Sequence, residues 1–343
     1  MNDLVRELLS RKLLTHAQIN EAIAAHKTVL STGIKIGLDE VLLRKGFLTA
    51  KQLASVNAAI GKGRTDLIPG YEFLSKIGQG GMGAVYKARQ LSTGRVVAVK
   101  ILLPSFGNEK FAVKRFLREA KAIGKLSHPN IVVGFDAGYQ RGTYYYAMEY
   151  VEGKSLANIL APGHRIQWKS ALKITGQIAS ALAHAERHGI LHRDVKPENI
   201  LIAAGGIAKL MDLGVAKLVG DGGAATLTGT GNVMGTPAYM SPEQARGRAD
   251  ADVRSDIYSL GLTLFEMLTG RKAFEAATPM ATMAKRIHED PDYALMSKFH
   301  VPDAVTLIVK RMTARKRENR YSNPAELLGH IDAALLGKAV HKL

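Results

Sequence analysis

The chain has no cysteine, which removes disulfides, thiolate metal sites and cysteine nucleophiles from consideration. It has one tryptophan, and aromatic residues make up only 6% of it. It holds no uninterrupted apolar run of roughly 18 residues, so the sequence offers no membrane span. The opening residues carry Asp3 and Glu7 and lack the basic start and apolar centre of a signal peptide. These absences lead to the expectation of a cytoplasmic location. Acidic residues are outnumbered, 30 against 47 Lys and Arg, for a net charge of +17. The excess falls on both residues 1–66 and the remainder rather than in a polybasic tail. That distribution fits a basic soluble surface and gives no sign of a specific nucleic-acid partner. At 343 residues, the chain has room for two or three compact units.

An internal repeat occupies residues 1–60. The stretch Leu9 to Ile19 matches Leu43 to Leu53 at an offset of 34. Each copy reads as a short helix, a tight turn and a second helix. Thr15 and Thr49 stand at N-cap positions with Gln18 and Gln52 three residues on, two capping boxes. Leu14 with Ile19, and Leu48 with Leu53, occupy the hydrophobic-staple positions. A linker rich in Gly and charge follows, 61–70, and the remaining unit is expected over 71–338. Short alternating segments predict strands over Tyr71 to Lys76, Ala84 to Arg89, Arg95 to Leu102, Ile131 to Tyr139 and Thr143 to Tyr150. A helix is expected from about Glu109 to Lys125. After Ser155 the apolar spacing becomes mostly helical up to about Leu336.

Four groups of residues carry chemistry. Ile77-Gly78-Gln79-Gly80-Gly81-Met82-Gly83-Ala84-Val85 is a glycine-rich loop whose backbone can approach phosphates closely. It joins two strands, whereas the dinucleotide-binding fingerprint of similar spelling opens a helix. Val97-Ala98-Val99-Lys100 puts a lysine on the third strand, and Glu119 in the next helix is its natural carboxylate partner. His192-Arg193-Asp194-Val195-Lys196-Pro197-Glu198-Asn199 offers a carboxylate to accept a hydroxyl proton, a cation and a metal-binding amide. Asp212 in Met211-Asp212-Leu213-Gly214 supplies a second acid for Mg²⁺, a hard cation that takes oxygen ligands.

In this order and context the four groups make up the protein-kinase signature set. From Tyr71 to Leu336 the chain resembles the bacterial eukaryotic-like (Hanks-type) Ser/Thr kinases. The resemblance extends to Gly235-Thr236-Pro237, Ser241-Pro242-Glu243, Arg254-Ser255-Asp256 and Asn319-Arg320. It implies a two-lobed α+β fold, with a small β-rich N-lobe and a large helical C-lobe, behind a small all-α module. It also implies ATP with Mg²⁺ or Mn²⁺ as cofactors and protein Ser/Thr hydroxyls as acceptors. Lys196 and Thr236 are the features that match the Ser/Thr-specific version. By the same resemblance, Asp194, Lys196, Lys100 and Glu119 are catalytic, and Asn199 and Asp212 hold metal. ATP would contact the loop from Ile77 to Gly83, Val85, Ala98, Met148, Glu149, Val151 and Leu201. Glu243 would pair with Arg320 as a structural ion pair. Leu213 stands where the family usually has Phe.

Arg193 before Asp194 goes, in this family, with phosphorylation of the activation loop. Thr228 and Thr230, rather than Thr226, best match its autophosphorylation positions. His184, His188 and His192 lie four apart, but no accompanying carboxylate motif supports a metal site there. Residues 1–60 resemble the helical repeats that open many type II secretion and pilus-assembly ATPases. The packing leucines are kept, but Asp3, Val5, Lys12 and His26 replace that family's Arg, Gly, Gly and Gln in the first copy. The expectation is therefore a docking or homodimerisation module rather than a nucleotide sensor.

Overall fold

The computed structural model describes residues 3–31, 37–60, 68–79, 83–102, 113, 116–117, 120–121, 124–140, 143–161, 163–212, 237–248 and 250–338. The chain divides into two compact units, Met1–Asn108 with Gly138–Tyr150, and Glu109–Ala137 with Val151–Leu343.

The first unit opens with four helices, α1 (Asp3–Ser10), α2 (His16–Ser31), α3 (Leu38–Arg44) and α4 (Ala50–Ile60). Both capping boxes form. The Thr15 N–H donates to Gln18 Oε1 at 2.9 Å, and the Gln18 N–H returns a bond to Thr15 Oγ1 at 3.3 Å. Thr49 and Gln52 repeat this at 2.9 and 3.2 Å. The staple residues Leu14, Ile19, Leu48 and Leu53 all enter one apolar core with Leu8, Leu42 and Val56. The repeats interlock: α1 packs on α4 and α2 on α3. The turns after α1 and α3 need left-handed residues, and the equivalent positions are Lys12 (φ 52°) and Gly46 (φ 68°).

The same unit contains an antiparallel sheet. Its strands are β1 (Tyr71–Gln79), β2 (Gly83–Gln90), β3 (Val96–Leu102), β4 (Gly134–Gln140) and β5 (Thr143–Glu149), in the order β1-β2-β3-β5-β4. Gly94 turns the chain between β2 and β3 at φ 67°. Strand alternation sends Val97, Val99 and Ile101 into a core with Phe73, Tyr145 and Ala147. The intervening residues therefore belong to the opposite face.

In the second unit, β6 (Gly153–Ser155), β7 (Ile200–Ala203) and β8 (Ala208–Leu210) form a small antiparallel sheet. The sequence pattern had suggested mostly helix here. The strands are only three or four residues long, too short for alternation to register. Ile131 forms only an isolated bridge to Leu210, so β4 begins later than its apolar pattern suggests. Helices α5 (Leu156–Ile159), α6 (Trp168–Arg187), α7 (Pro242–Ala245), α8 (Val253–Thr269), α9 (Pro279–His288), α10 (Ala294–Lys298), α11 (Asp303–Met312) and α12 (Pro324–Leu335) complete the unit. α8 is buried along nearly its whole length and packs on α6 and α11. At Gly261 a Cβ would stand 2.7 Å from that of Met312, so glycine permits the close crossing. Among the described residues, no helix is long and apolar enough to cross a membrane.

Candidate active site

In the first unit, β-sheet register gathers the phosphate- and base-binding candidates. Val85 stands opposite Lys100, Lys100 opposite Tyr146, and Ala98 opposite Met148. Paired residues share a face, so Val85, Ala98, Lys100 and Met148 lie together on the side away from the apolar core. Lys100 Nζ lies 5.5 Å from the Tyr146 ring centroid, a cation–π distance. Ala98 and Met148 are buried, whereas Ile77 is exposed. Gly78 and Gln79 end β1 and Gly83 begins β2, so the glycine-rich loop does connect two strands. Gly83 also has a packing reason to be glycine, because a Cβ there would sit 2.6 Å from the Ile101 carbonyl oxygen. Glu149 ends β5. Gly80, Gly81, Met82 and Glu119 lie outside the described residues.

The second unit holds the acid-rich part. Lys196 Nζ lies 2.8 Å from Asp194 Oδ2. Asn199, nearly buried, donates through Nδ2 to the Asp194 carbonyl at 2.8 Å and to Oδ2 at 3.2 Å. Asp194 thus faces a cation and an amide donor. With its nitrogen so committed, the Asn199 amide has its oxygen left as a hard acceptor. Asp212 follows β8 at φ 53°, in the left-handed region. A buried imidazole links the neighbours of the two acids: the Asp194 N–H donates to His192 Nδ1 at 3.2 Å, and His192 Nε2 lies 3.0 Å from the Met211 carbonyl. This pattern assigns the ring proton to Nε2. Leu201, half-buried, pairs with Lys209 across β7 and β8. Val151 precedes β6 and is half-buried.

The loop is fastened from below by Asp256 of α8, whose carboxylate accepts the N–H groups of His192 at 2.8 Å and Arg193 at 2.6 Å. Arg193 is held at φ 63°, a conformation that needs such support in a residue with a Cβ. Burial pushes the Asp256 carboxyl above its ordinary value, opposed by His192 and Arg193. Gln244 Nε2 adds a bond to the Arg193 carbonyl at 3.2 Å. In the sequence Asp256 stands out only as part of the family resemblance, which did not foresee this role. The available signal was a carboxylate immediately before the uncharged run Ile257 to Phe265, which must find donors to stay buried.

The expected pair of Glu243 and Arg320 is present and bidentate, at 2.7 and 2.9 Å. Burial would raise the Glu243 carboxyl, but the hydrogen bonds and charge of Arg320, with Ser255, win and bring it down to about 2. His192 takes no part in a histidine cluster. Instead His128 and His188 flank His184 with ring centroids 5.2 and 4.5 Å away, and burial lowers the His128 and His184 pKa values. No group of three His or acid side chains among the described residues could hold a metal ion. Leu213, Thr226, Thr228, Thr230, Gly235 and Thr236 lie outside the described residues.

Comparison with known families matches residues 71–331 to the protein kinase domain. Serine/threonine-protein kinase PrkC of Bacillus subtilis is 40% identical over 264 residues, covering 77% of this chain and 40% of the relative. A probable serine/threonine-protein kinase of Clostridium perfringens is also 40% identical, covering 76% of this chain and 38% of its own length. The chain therefore spans about two fifths of the length of these relatives. Among solved structures, the PknI kinase domain of Mycobacterium tuberculosis superposes with a TM-score of 0.61 at 25% identity, covering 78% of this chain and 96% of that one. Rad53 in complex with AMP-PNP superposes with a TM-score of 0.63 at 25% identity, covering 83% and 70%.

Proposed function

The chain belongs to the protein kinase domain family, and from that membership we propose that it transfers the γ-phosphoryl group of ATP to serine and threonine hydroxyls of proteins. The observation that carries the reading is the loop in which Asp194 meets Lys196 and Asn199 while Asp256 holds the backbone beneath it. Asp194 accepts the proton of the attacking hydroxyl and orients its oxygen. Lys196 neutralises charge gathering on the transferred group. Lys100 and Glu119 position the α- and β-phosphates, and Gly78 to Gly83 cover them. The base would contact Val85, Ala98, Met148, Glu149, Val151 and Leu201.

Asn199 and Asp212 would hold Mg²⁺, or Mn²⁺, which supplies charge neutralisation at the phosphates. Two oxygen donors suit Mg²⁺, since that ion keeps several waters and takes only one or two carboxylates beside phosphate oxygens. Thr228 and Thr230 are the proposed autophosphorylation positions, where a phosphate monoester could pair with Arg193. Residues 1–60 are proposed as a docking or homodimerisation module, distinct from the unit at 71–338, and the location is proposed to be cytoplasmic. Mass spectrometry after incubation with Mg·ATP tests the reading. It should find phosphate on Thr228 or Thr230, and the absence of phosphate anywhere on the chain, or on an added Ser/Thr protein substrate, would contradict it.

A further inference from the structure

β8 is only three residues long and lies at the edge of its sheet. It has β7 on one side, and among the described residues no strand lies on the other. A ladder this short does little to fix register, yet Asp212 stands just two residues beyond it. The open side of β8 is nevertheless bonded. The Leu210 N–H donates to the Asn130 carbonyl at 2.8 Å, and the Leu210 carbonyl accepts the Val132 N–H at 3.0 Å. At Ala208 two side chains take the place of a strand. Its N–H donates to Gln177 Oε1 at 2.8 Å, and its carbonyl accepts from Asn130 Nδ2 at 2.8 Å.

The two amides are also joined to each other, Asn130 Nδ2 donating to Gln177 Oε1 at 2.9 Å. Gln177 Nε2 donates to the Gly206 carbonyl at 3.0 Å. The orientation of Gln177 follows from these partners, because two N–H groups meet one end of its amide and a carbonyl meets the other. Gln177 comes from the middle of α6, so it ties that helix to the chain at Gly206 and Ala208, where β8 begins. Past Leu210, the Met211 N–H donates to the Asn199 carbonyl at 2.9 Å. The register set at Ala208 therefore runs on to a point between Asn199 and Asp212. A slip of one residue would move Asp212 by about 3.3 Å, against a tolerance of about 0.2 Å in metal–ligand distances.

We propose that Gln177, with Asn130, is a positioning residue for the metal site: its amide stands in for a strand beside β8, fixes the register and so sets where the Asp212 carboxylate lies. This role rests on the reading of Asn199 and Asp212 as the Mg²⁺ ligands. Removing such an outer partner typically lowers metal affinity or activity by about 10- to 100-fold.

The test compares the full chain with Gln177→Met, Gln177→Glu and Asp212→Asn. The Leu210 and Met211 amides do not bond to Gln177. In the metal-free protein they should nevertheless exchange hydrogen at least about tenfold faster in Gln177→Met, while amides of α8 stay within about twofold of the parent. With ATP and acceptor saturating, the Mg²⁺ needed for half-maximal transfer should rise at least about tenfold in Gln177→Met. Gln177→Glu keeps the oxygen that Ala208 needs and should fall between that variant and the parent. Unchanged exchange at Leu210 and Met211, an equal rise across α8, an unchanged Mg²⁺ requirement, or a Gln177→Glu no better than Gln177→Met would overturn the proposal. Asp212→Asn separates it from the reading beneath it. If that variant transfers with the parent's Mg²⁺ requirement, the metal-ligand reading fails and the proposal with it. If Asp212→Asn is impaired and Gln177→Met is not, the positioning role alone fails.

Discussion

Replacing Asp256 by Asn separates the shape of the loop from the chemistry it carries. The carboxylate, only 1% exposed, accepts two backbone N–H groups at 2.8 and 2.6 Å. An amide of the same shape offers one oxygen and one NH₂, so one N–H would face another donor. A hydrogen bond to a buried charged group contributes about 1.5–3 kcal/mol. Because burial already disfavours the Asp256 charge, the neutral amide recovers part of that loss. The net destabilisation should be about 2 kcal/mol in urea unfolding. The functional effect follows from Arg193, whose positive φ loses a support immediately before Asp194. A misplacement of about 1 Å at a reacting group can lower rates by about a hundredfold. Steady-state transfer from ATP to a protein substrate should show kcat down by about 10- to 100-fold, with KM for ATP changed far less. A kcat within about twofold of the parent, with stability changed by less than about 0.5 kcal/mol, would refute the reasoning.

Glu243→Gln should change the pH profile of stability. The native carboxyl titrates near 2 instead of 4.5, so its contribution is complete above the unfolded value and is lost as pH falls through the folded one. The difference amounts to about 3 kcal/mol. The variant should be less stable by about that much at pH 7, with the gap closing between about pH 5 and 2; parallel curves would count against the ion pair. In the helical module, Lys12→Gly should stabilise by about 0.5 kcal/mol, because it relieves a left-handed residue at the position where the second repeat has glycine. The mirror change, Gly46→Ala, should destabilise by about 1 kcal/mol in thermal unfolding. Effects of the opposite sign would remove the equivalence of the two turns.

Much of this molecule was legible in its sequence wherever the signal was local. The capping boxes at Thr15 and Thr49 and the staples beside them involve partners three to five residues apart, and all four form. The strand–loop–strand context of Gly78 and Gly83 was equally readable from alternation. What was missed depends on contacts distant in sequence. Asp256 reaches His192 across 64 positions, and His128 joins the imidazole stack from outside α6. Arg286 reads as an ordinary basic residue near a helix end, and only the packing of α9 reveals its burial. The Glu243–Arg320 pair spans 77 positions, and it was foreseen only through family resemblance.

The most direct test of the account is single-turnover transfer of the ATP γ-phosphoryl group by Asp194→Asn beside the parent, with nucleotide affinity measured on both. Since Asp194 is assigned to the hydroxyl proton, transfer should fall by about 10²- to 10⁴-fold while ATP binding stays within a few fold. Transfer at the parental rate by Asp194→Asn would contradict the assignment of this loop as the catalytic centre.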